Sequence, residues 1–319
     1  MWLYLLTAVL LLAVRWFIRD RQKIQDIKDK FVLITGCDSG FGNLLAKNLD
    51  RQGFRVLACC LTQKGVDTVQ RNSSSRLKAF LLDVTDHISI QKLADWVQVE
   101  VKEKGLWGLV NNAGIATPVA PTDWLKIEDY QKVLNVNLLG LVEVTLTFLP
   151  LIKKARGRIV NVSSIFGRIS FAGGGYCLSK HGVESFSDTL RHDLRYFDIQ
   201  VSIIEPGFFK TAATNSELIV NEQQRLWDSL SLEVRKSYGE NYFENYVKNE
   251  RKVLNKFCDS DISKVTNCME HALTARHPQT RYTAGWDAKL FWIPISYMPT
   301  VFVDFLISFF LLKPSNRVQ

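Results

Sequence analysis

Short apolar runs alternate with amphipathic stretches along most of the chain, and this alternation limits the possible folds more than any other feature. Six runs have the length and the apolar or β-branched content of strands: 31–35, 54–60, 77–82, 106–110, 158–162 and 201–204. Helix-like spacing of apolar residues is found between them, at 43–49, 88–101, 130–149 and 183–194. This order predicts an α/β fold in which helices cover both faces of a parallel sheet.

Composition supports one compact domain with a large core. The chain has 319 residues, of which 47% are hydrophobic, and no linker rich in Pro, Gly or Ser divides it. The net charge of +8 comes from scattered basic residues, apart from a cluster near the N-terminus, so a membrane surface is favoured over nucleic acid as a partner. The six cysteines and five histidines lack metal-ligand spacing, which predicts reduced thiols and no metal site.

The N-terminal segment predicts a membrane anchor over residues 1–18. It is almost wholly apolar from Trp2 to Val14, and Arg15 precedes a further short apolar run. This length is at the lower limit of the roughly 17–25 residues that span a bilayer. Because the charges at Arg19, Arg21 and Lys23 follow the run, a retained anchor is favoured over a cleaved signal, and the positive-inside rule favours a cytosolic domain.

The C-terminal segment 291–319 is also predicted to associate with a membrane. It is rich in aromatic and aliphatic residues, but Pro294, Pro299 and Asp304 interrupt it. Because the uninterrupted part is too short to span, an interfacial helix is favoured. A helix packed on the protein's own core remains the alternative.

A glycine-rich turn joins the first predicted strand to the first predicted helix. It reads Thr35-Gly-Cys-Asp-Ser-Gly-Phe-Gly42. Glycines permit a tight turn and a close approach of the backbone to a pyrophosphate, whose charge the helix N-terminus favours. This turn predicts a dinucleotide site.

The spacing T-G-x-x-x-G-x-G resembles that of the short-chain dehydrogenase/reductase family. Further motifs of that family follow in its order: Leu82-Asp-Val84, Asn111-Asn-Ala-Gly114, Asn137, Ser164, Tyr176-x-x-x-Lys180 and Pro206-Gly207. The resemblance covers residues 28–290 and implies a Rossmann-type doubly wound sheet in a single domain, with a substrate lid over 208–257. Contacts to the cofactor are implied for Gly36, Asp38, Ser39, Gly40, Phe41, Gly42, Asp83, Asn111, Ala113, Gly114, Tyr176, Lys180, Pro206, Gly207 and Thr211.

Tyr176 is the expected acid/base. On a helix it points the same way as Lys180, four positions later. The ammonium and a positive nicotinamide both favour the phenolate, so we expect its pKa to be drawn toward neutrality. Ser164 is expected to hold the substrate oxygen, with the adjacent Ser163 as a competitor. The resemblance implies that Asn137 holds a water that connects Lys180 to solvent.

The choice of cofactor depends on charge near the adenosine ribose. The acidic residue that usually ends the second strand in NAD enzymes is replaced by Cys60. Asp38 would repel the 2′-phosphate of NADP, whereas Lys64 would attract it. We give Asp38 the greater weight, because Lys64 lies in a Lys-Gly turn, and expect NAD.

The substrate is expected to be a large apolar alcohol. Aromatic and apolar residues concentrate after Gly207: Phe208, Phe209, Leu226, Trp227, Tyr238, Tyr242, Phe243 and Tyr246. Packing of the lid on its own sheet accounts for part of this set. Stretches such as Lys104-Gly-Leu-Trp107 and Gly173-Gly-Gly-Tyr176 resemble the microsomal retinol dehydrogenases, and Met1-Trp-Leu3 resembles the cis-retinol enzymes in particular.

This closer resemblance implies retinol oxidation at the endoplasmic reticulum membrane. His181 departs from the subfamily, which usually has Tyr or Phe there, so substrate preference stays open. The alternatives are a 3α- or 17β-hydroxysteroid dehydrogenase and, from another class, a retinoid-binding or scaffold protein. The retinol isomer and a homodimer are also left open.

Overall fold

The computed structural model of the chain describes residues 2–171 and 173–314. Its centre is a parallel sheet of seven strands: β1 (Phe31–Ile34), β2 (Arg55–Cys60), β3 (Leu77–Leu81), β4 (Gly108–Asn111), β5 (Arg158–Val162), β6 (Gln200–Pro206) and β7 (Arg281–Ala284). All six predicted strands are confirmed. The sequence analysis missed β7, because four residues of mixed polarity give no strand signal.

The strand order is β3-β2-β1-β4-β5-β6-β7, so the chain reverses direction across the sheet between β3 and β4. In this doubly wound arrangement, a crevice opens beyond the carboxyl ends of β1 and β4, which are neighbours. The glycine-rich turn follows β1, and Asn112, Ser164 and Gly207 follow β4, β5 and β6. The topology therefore brings the predicted motifs to one edge of the sheet.

Helices cover both faces of the sheet, as predicted. The helices are α1 (Trp2–Arg21), α2 (Gly40–Gln52), α3 (Gln63–Arg71), α4 (His87–Val101), α5 (Ile127–Leu134), α6 (Leu141–Ala155), α7 (Gly175–Leu194), α8 (Ser216–Ser229), α9 (Leu232–Tyr238), α10 (Tyr242–Phe257), α11 (Ser263–Thr274), α12 (Ile293–Ser296) and α13 (Thr300–Ser308). Alternate residues of β1 face opposite sides. Val32 and Ile34 pack against α2 and α11, whereas Phe31 and Leu33 pack against α4 and α6.

The helix predicted over 130–149 has a more complex form. A π-helical segment, Asn135–Gly140, joins α5 to α6. Within the described residues, the stretch Ile127–Ala155 is long and apolar enough to cross a membrane. However, Val144 and Phe148 on α6 are fully buried in the core beneath the sheet. We therefore interpret this stretch as a core helix.

The end of α1 is attached to the α/β domain by backbone and side-chain contacts. The Ile24 amide donates to the Thr274 carbonyl at 2.8 Å, and the Arg276 amide donates to the Gln22 carbonyl at 2.6 Å. The His271 ring nitrogen Nε2 lies 2.8 Å from the Asp20 carbonyl oxygen. These contacts hold the end of α1 against the α/β domain, so the two are not joined by a flexible linker alone.

The C-terminal segment packs on the protein through one face only. Phe310 and Leu306 pack against a cluster that contains the buried Trp292, while Phe302 and Phe305 are 60% and 61% exposed on α13. Helix α13 has nine residues, too few to span a bilayer. One face therefore packs on the protein and the other presents aromatic side chains outward. Residues 315–319 of the predicted segment lie outside the described residues.

None of the six cysteines, all of which lie within the described residues, forms a disulfide. Burial raises the pKa of Cys37 and Cys59 well above the usual thiol value, so these thiols stay protonated and unreactive.

Candidate active site

A cavity of about 690 Å³ lies at the carboxyl edge of the sheet. It extends from the glycine-rich turn past Ser164 and Tyr176 to the lid helices α8 to α10. The predicted site residues that line it are Gly36, Asp38, Ser39, Gly40, Phe41, Asp83, Ala113, Gly114, Ser164, Tyr176, Lys180, Pro206, Gly207 and Thr211. Three others, Gly42, Asn111 and Asn137, are not part of its lining.

The turn after β1 needs glycine for conformation and for space. Gly36 has a φ of +71°, and a Cβ there would come within 2.8 Å of the Ala113 Cα. A Cβ at Gly42 would lie 2.4 Å from the Gly36 carbonyl oxygen, so Gly42 serves the packing of α2 on the turn. The turn also leads directly into the N-terminus of α2, a favourable place for phosphate.

Asn111 has a different role from the one expected. Its amide Nδ2 donates to Thr145 Oγ1 and to Asn161 Oδ1, both at 2.9 Å, which ties β4 to α6 and β5 inside the core. The next residue, Asn112, lines the cavity and donates to the Thr35 and Gly36 carbonyls at 2.9 and 3.0 Å. Sequence reasoning missed this function of Asn112, which fixes the shape of the turn.

The Asp38 carboxylate lies at the end of β2. It accepts hydrogen bonds from the Leu61 amide at 2.7 Å and from the Thr62 amide at 3.0 Å. Burial raises the pKa of the neighbouring Cys60 thiol to about 12, and the negative charge of Asp38 contributes to this increase. Asp38 thus supplies a carboxylate next to Cys60, the position at which NAD enzymes usually have an acidic residue.

These residues fit a nicotinamide dinucleotide. Glycines without side chains line the cavity next to a helix N-terminus, and carboxylates of Asp38 and Asp83 lie toward that end. Tyr176 and Lys180 line the same cavity beyond Ala113 and Gly114. The arrangement therefore gives a dinucleotide a path from the turn to the acid/base.

The expected acid/base group and its partners come together. The Ser164 hydroxyl forms a hydrogen bond with the Tyr176 phenol. The Lys180 ammonium lies 5.7 Å from the centroid of the Tyr176 ring and donates to the Val162 carbonyl at 2.8 Å. The strand β5 and the helix α7 position these groups, because Val162 ends the strand and Tyr176 and Lys180 are one helical turn apart.

The pKa values differ from the expectation. Burial raises the pKa of Tyr176 to about 12, although the hydrogen bond with Ser164 opposes this shift. Burial likewise lowers the pKa of Lys180 to about 8, while the nearby Glu184 carboxylate opposes it. The expectation that the ammonium draws the phenol toward neutrality is therefore not met by the protein groups alone, because desolvation outweighs the charge.

The structure distinguishes the two candidate serines by their partners. The Ser163 hydroxyl donates to the Lys180 carbonyl at 3.3 Å and interacts with Glu184, so it is directed toward α7. The Ser164 hydroxyl instead forms a hydrogen bond with the Tyr176 phenol. This geometry favours Ser164 for holding the substrate oxygen.

Asn137 lies in the π-helical segment, behind the cavity wall. Its Oδ1 accepts from the Ile115 amide and its Nδ2 donates to the Ile115 carbonyl, both at 2.8 Å. Nδ2 also donates to Ser179 Oγ at 3.1 Å, on the helix of the acid/base. A Cβ on Gly114 would lie 3.3 Å from Asn137 Oδ1 and 3.8 Å from Lys180 Nζ. Asn137 therefore fixes the wall between the two segments, and a side chain in place of Gly114 would crowd Asn137 next to Lys180.

The lid supplies aromatic rings to the cavity and to its own core. Of the residues singled out in the sequence, five line the cavity: Phe208, Phe209, Tyr238, Tyr242 and Tyr246. Leu226, Trp227 and Phe243 instead pack with the buried Trp124, whose ring centroid is 4.9 Å from that of Trp227. Phe310 and Leu312 of the C-terminal segment and Glu250 of α10 also line the cavity, and the sequence analysis missed all three.

Comparison with known proteins agrees with this geometry. The family described as short chain dehydrogenase matches residues 30–220. Over 318 residues and the full length of both chains, the sequence is 56% identical to retinol dehydrogenase 16 of Mus musculus and 52% identical to retinol dehydrogenase 5 of Homo sapiens. It is also 51% identical over 319 residues to 17-beta-hydroxysteroid dehydrogenase type 6 of Rattus norvegicus, again over the full length of both.

Solved structures agree in fold. A short-chain dehydrogenase from Streptomyces avermitilis is 25% identical, with a TM-score of 0.67 over 88% of this chain and 94% of that one. A short chain dehydrogenase/reductase from Burkholderia phymatum, solved in complex with NAD, is 19% identical, with a TM-score of 0.68 over 93% of this chain and 100% of that one. The family match over residues 30–220 is consistent with the strand order and with the grouping of Ser164, Tyr176 and Lys180. The chain therefore belongs to the short-chain dehydrogenase family.

Proposed function

We propose that this chain oxidises retinol to retinaldehyde with NAD, with Tyr176 as the general base. The observation that carries the proposal is the grouping of Ser164, Tyr176 and the buried Lys180 in one cavity that also has aromatic walls. The enzyme is an alcohol dehydrogenase of its family and uses a nicotinamide cofactor. Relatives named retinol dehydrogenases, 52–56% identical over 318 residues, support retinol as the alcohol.

Each catalytic side chain has a role that follows from its contacts. The substrate hydroxyl hydrogen-bonds to Ser164 and Tyr176, and its proton passes to the Tyr176 phenolate oxygen. Lys180, held by the Val162 carbonyl, stabilises that phenolate by its positive charge. A bound nicotinamide would supply the hydride acceptor and a second positive charge that favours the phenolate. The position of Asn137, next to Gly114 and Lys180, supports the assignment to Asn137 of a water that connects Lys180 to solvent.

The position of Asp38 supports NAD over NADP. Its carboxylate lines the cavity at the end of β2, where it would accept a hydrogen bond from a ribose hydroxyl and repel a 2′-phosphate. Lys64, the residue that would favour NADP, is exposed on α3 and is not among the residues that line the cavity.

The function and the cofactor are tested by initial rates. Purified protein in lipid is expected to reduce NAD with all-trans-retinol or a cis-retinol, and to use NADP less efficiently because Asp38 repels its phosphate. The same assay without alcohol is the control. Oxidation of a 3α- or 17β-hydroxysteroid but of no retinol would replace this proposal with the hydroxysteroid alternative, which a relative named 17-beta-hydroxysteroid dehydrogenase type 6 supports. A preference for NADP would contradict the role of Asp38.

We also propose attachment to the endoplasmic reticulum membrane through both ends of the chain. In α1, the side chains of Trp2, Leu6 and Leu10 are exposed, as expected for a helix that inserts into lipid. In α13, the exposed Phe302 and Phe305 would lie in the interface. Basic residues after the apolar part of α1 favour a cytosolic catalytic domain.

The side of the membrane is tested with intact microsomes. Added protease is expected to digest the catalytic domain, and Asn72 is expected to carry no glycan, because glycosylation occurs in the lumen. Asn72 is exposed at the end of α3 and is a suitable reporter, whereas Asn161 in the second sequon is buried in β5. Detergent-opened microsomes are the control. Protection from protease, or a glycan on Asn72, would place the domain in the lumen.

A further inference from the structure

Helix α10 presents one face to the cavity. The residues on that face are Tyr242, Tyr246, Asn249, Glu250, Val253 and Leu254, which are spaced three or four positions apart or adjacent. The other two acids of the cavity lining, Asp38 and Asp83, lie at the cofactor end. Glu250 is therefore the carboxylate of the substrate region, and the proposed catalytic mechanism does not use it.

The Glu250 carboxylate has too few partners for a buried group. Its Oε2 is buried and has no hydrogen-bond partner among the described residues, and no cation of the described chain forms an ion pair with it. Burial raises its pKa to about 7, and a hydrogen bond from the Gln223 side chain on α8 opposes this shift. The free-energy cost of burying the Glu250 charge is therefore only partly offset by interactions within the protein.

Gln223 has an unpaired oxygen of its own. Its Nε2 donates to the Val119 carbonyl at 3.2 Å, but its Oε1 is buried without a hydrogen-bond partner in the described structure. Two acceptor oxygens without donors thus lie on neighbouring lid helices. Most buried polar groups in proteins have a partner, and of these two side chains only Glu250 is part of the cavity lining. Its carboxylate is therefore suited to a ligand that brings a donor.

We propose that Glu250, with Gln223 as its buried neighbour, forms a subsite for a hydroxyl group on the part of the substrate remote from the reacting alcohol. Because a hydroxyl both donates and accepts, it fits the ionised and the protonated carboxyl group. The enzyme then prefers apolar alcohols that carry a second hydroxyl over those that end in hydrocarbon. This inference rests on the proposed function, whose substrate class it narrows.

The position of the pair supports a remote contact. Glu250 is near Tyr246, whose pKa is raised by burial and by the Glu250 charge, and Tyr246 packs on the buried Trp124. In contrast, Tyr176 packs on Phe166, which belongs to a different cluster around Trp292. The cavity joins the two regions. A long alcohol that reacts at Tyr176 would therefore direct its other end toward the lid.

The test compares retinol with 3-hydroxyretinol, which differs by a hydroxyl on the ring. Both kcat/KM and Kd, the latter from ligand fluorescence, are measured for each ligand on full-length protein with NAD. We expect the wild-type protein to favour 3-hydroxyretinol by about tenfold or more, since hydrogen bonds to charged groups contribute on that order. Glu250→Leu should abolish this preference, and Glu250→Gln, which still forms hydrogen bonds, should retain most of it. Glu244→Leu, at an exposed site of the same helix, is the matched control.

The outcomes separate the two proposals. If both alcohols are oxidised equally well and the ratio is unchanged in Glu250→Leu, the subsite is wrong while retinol oxidation stands. If neither alcohol is oxidised but 3-hydroxyretinol binds more tightly in a Glu250-dependent manner, the subsite stands and the proposed function fails. Binding of neither ligand would overturn both. Replacing an unpaired buried carboxylate by leucine should not lower thermal stability, so loss of folding is not expected.

Discussion

Tyr176→Phe is expected to lower kcat for alcohol oxidation by at least about 10²–10⁴-fold, the range attributed to general acid–base catalysis. Phenylalanine keeps the ring that packs edge-on against Phe166 but removes the oxygen that hydrogen-bonds to Ser164 and accepts the proton. Binding of NAD should change little, because the variant lacks only the phenol oxygen, whose role is to accept the substrate proton, and keeps the ring. Steady-state rates and NAD titration measure the two effects separately.

Tyr196→Phe is the matched control for this variant. Tyr196 is 83% exposed and is not among the residues that line the cavity, so its substitution should leave the rate unchanged. In the wild-type protein, oxidation should accelerate as pH rises, since burial raises the pKa of Tyr176 and the base must be deprotonated. A Tyr176→Phe enzyme with wild-type turnover would refute the assignment of the base.

Lys180→Met is expected to weaken NAD binding and to lower turnover by about 10²-fold or more, because the charge that stabilises the phenolate is removed. Methionine fills a similar volume, so the buried site should remain packed. The Val162 carbonyl loses its donor at 2.8 Å, and a small loss of thermal stability is expected. The KM for NAD and kcat should both change.

Lys132→Met, at an exposed position on α5, controls for the loss of one positive charge. It should alter neither the KM for NAD nor kcat. If Lys180→Met reduced kcat without any effect on NAD binding, the part of our assignment that places Lys180 against the cofactor would be wrong.

The sheet and its site edge could be predicted from local sequence because both depend on short-range patterns. The six apolar runs predicted six strands. The glycine-rich turn predicted the connection from β1 to α2, because the positive φ of Gly36 and the close approach of Ala113 exclude a side chain at that position. Strand β7 was missed because Arg281–Ala284 has no apolar run and is defined by pairing with β6. Pairing between distant segments is not visible in a local pattern.

The candidate site was predicted less completely, for a similar reason. Ser164, Tyr176 and Lys180 belong to spaced motifs, and they meet as expected. Asn111 and Asn112 are adjacent amides, and only the fold shows that Asn111 is directed into the core and Asn112 into the cavity. Glu250 resembles any charged residue of an amphipathic helix until Gln223 and the lid are placed around it. The pKa of Tyr176 likewise depends on burial, which the sequence alone does not give.

The transfer of deuterium from the alcohol tests the central claim most directly. Retinol carrying deuterium on its carbinol carbon is incubated with the protein and NAD, and both products are analysed by mass spectrometry. The account predicts retinaldehyde and an equimolar amount of reduced NAD that contains one deuterium, with neither product formed by Tyr176→Phe above about a hundredth of the wild-type rate. Reduced cofactor without deuterium, or retinaldehyde formed equally well by Tyr176→Phe, would contradict it.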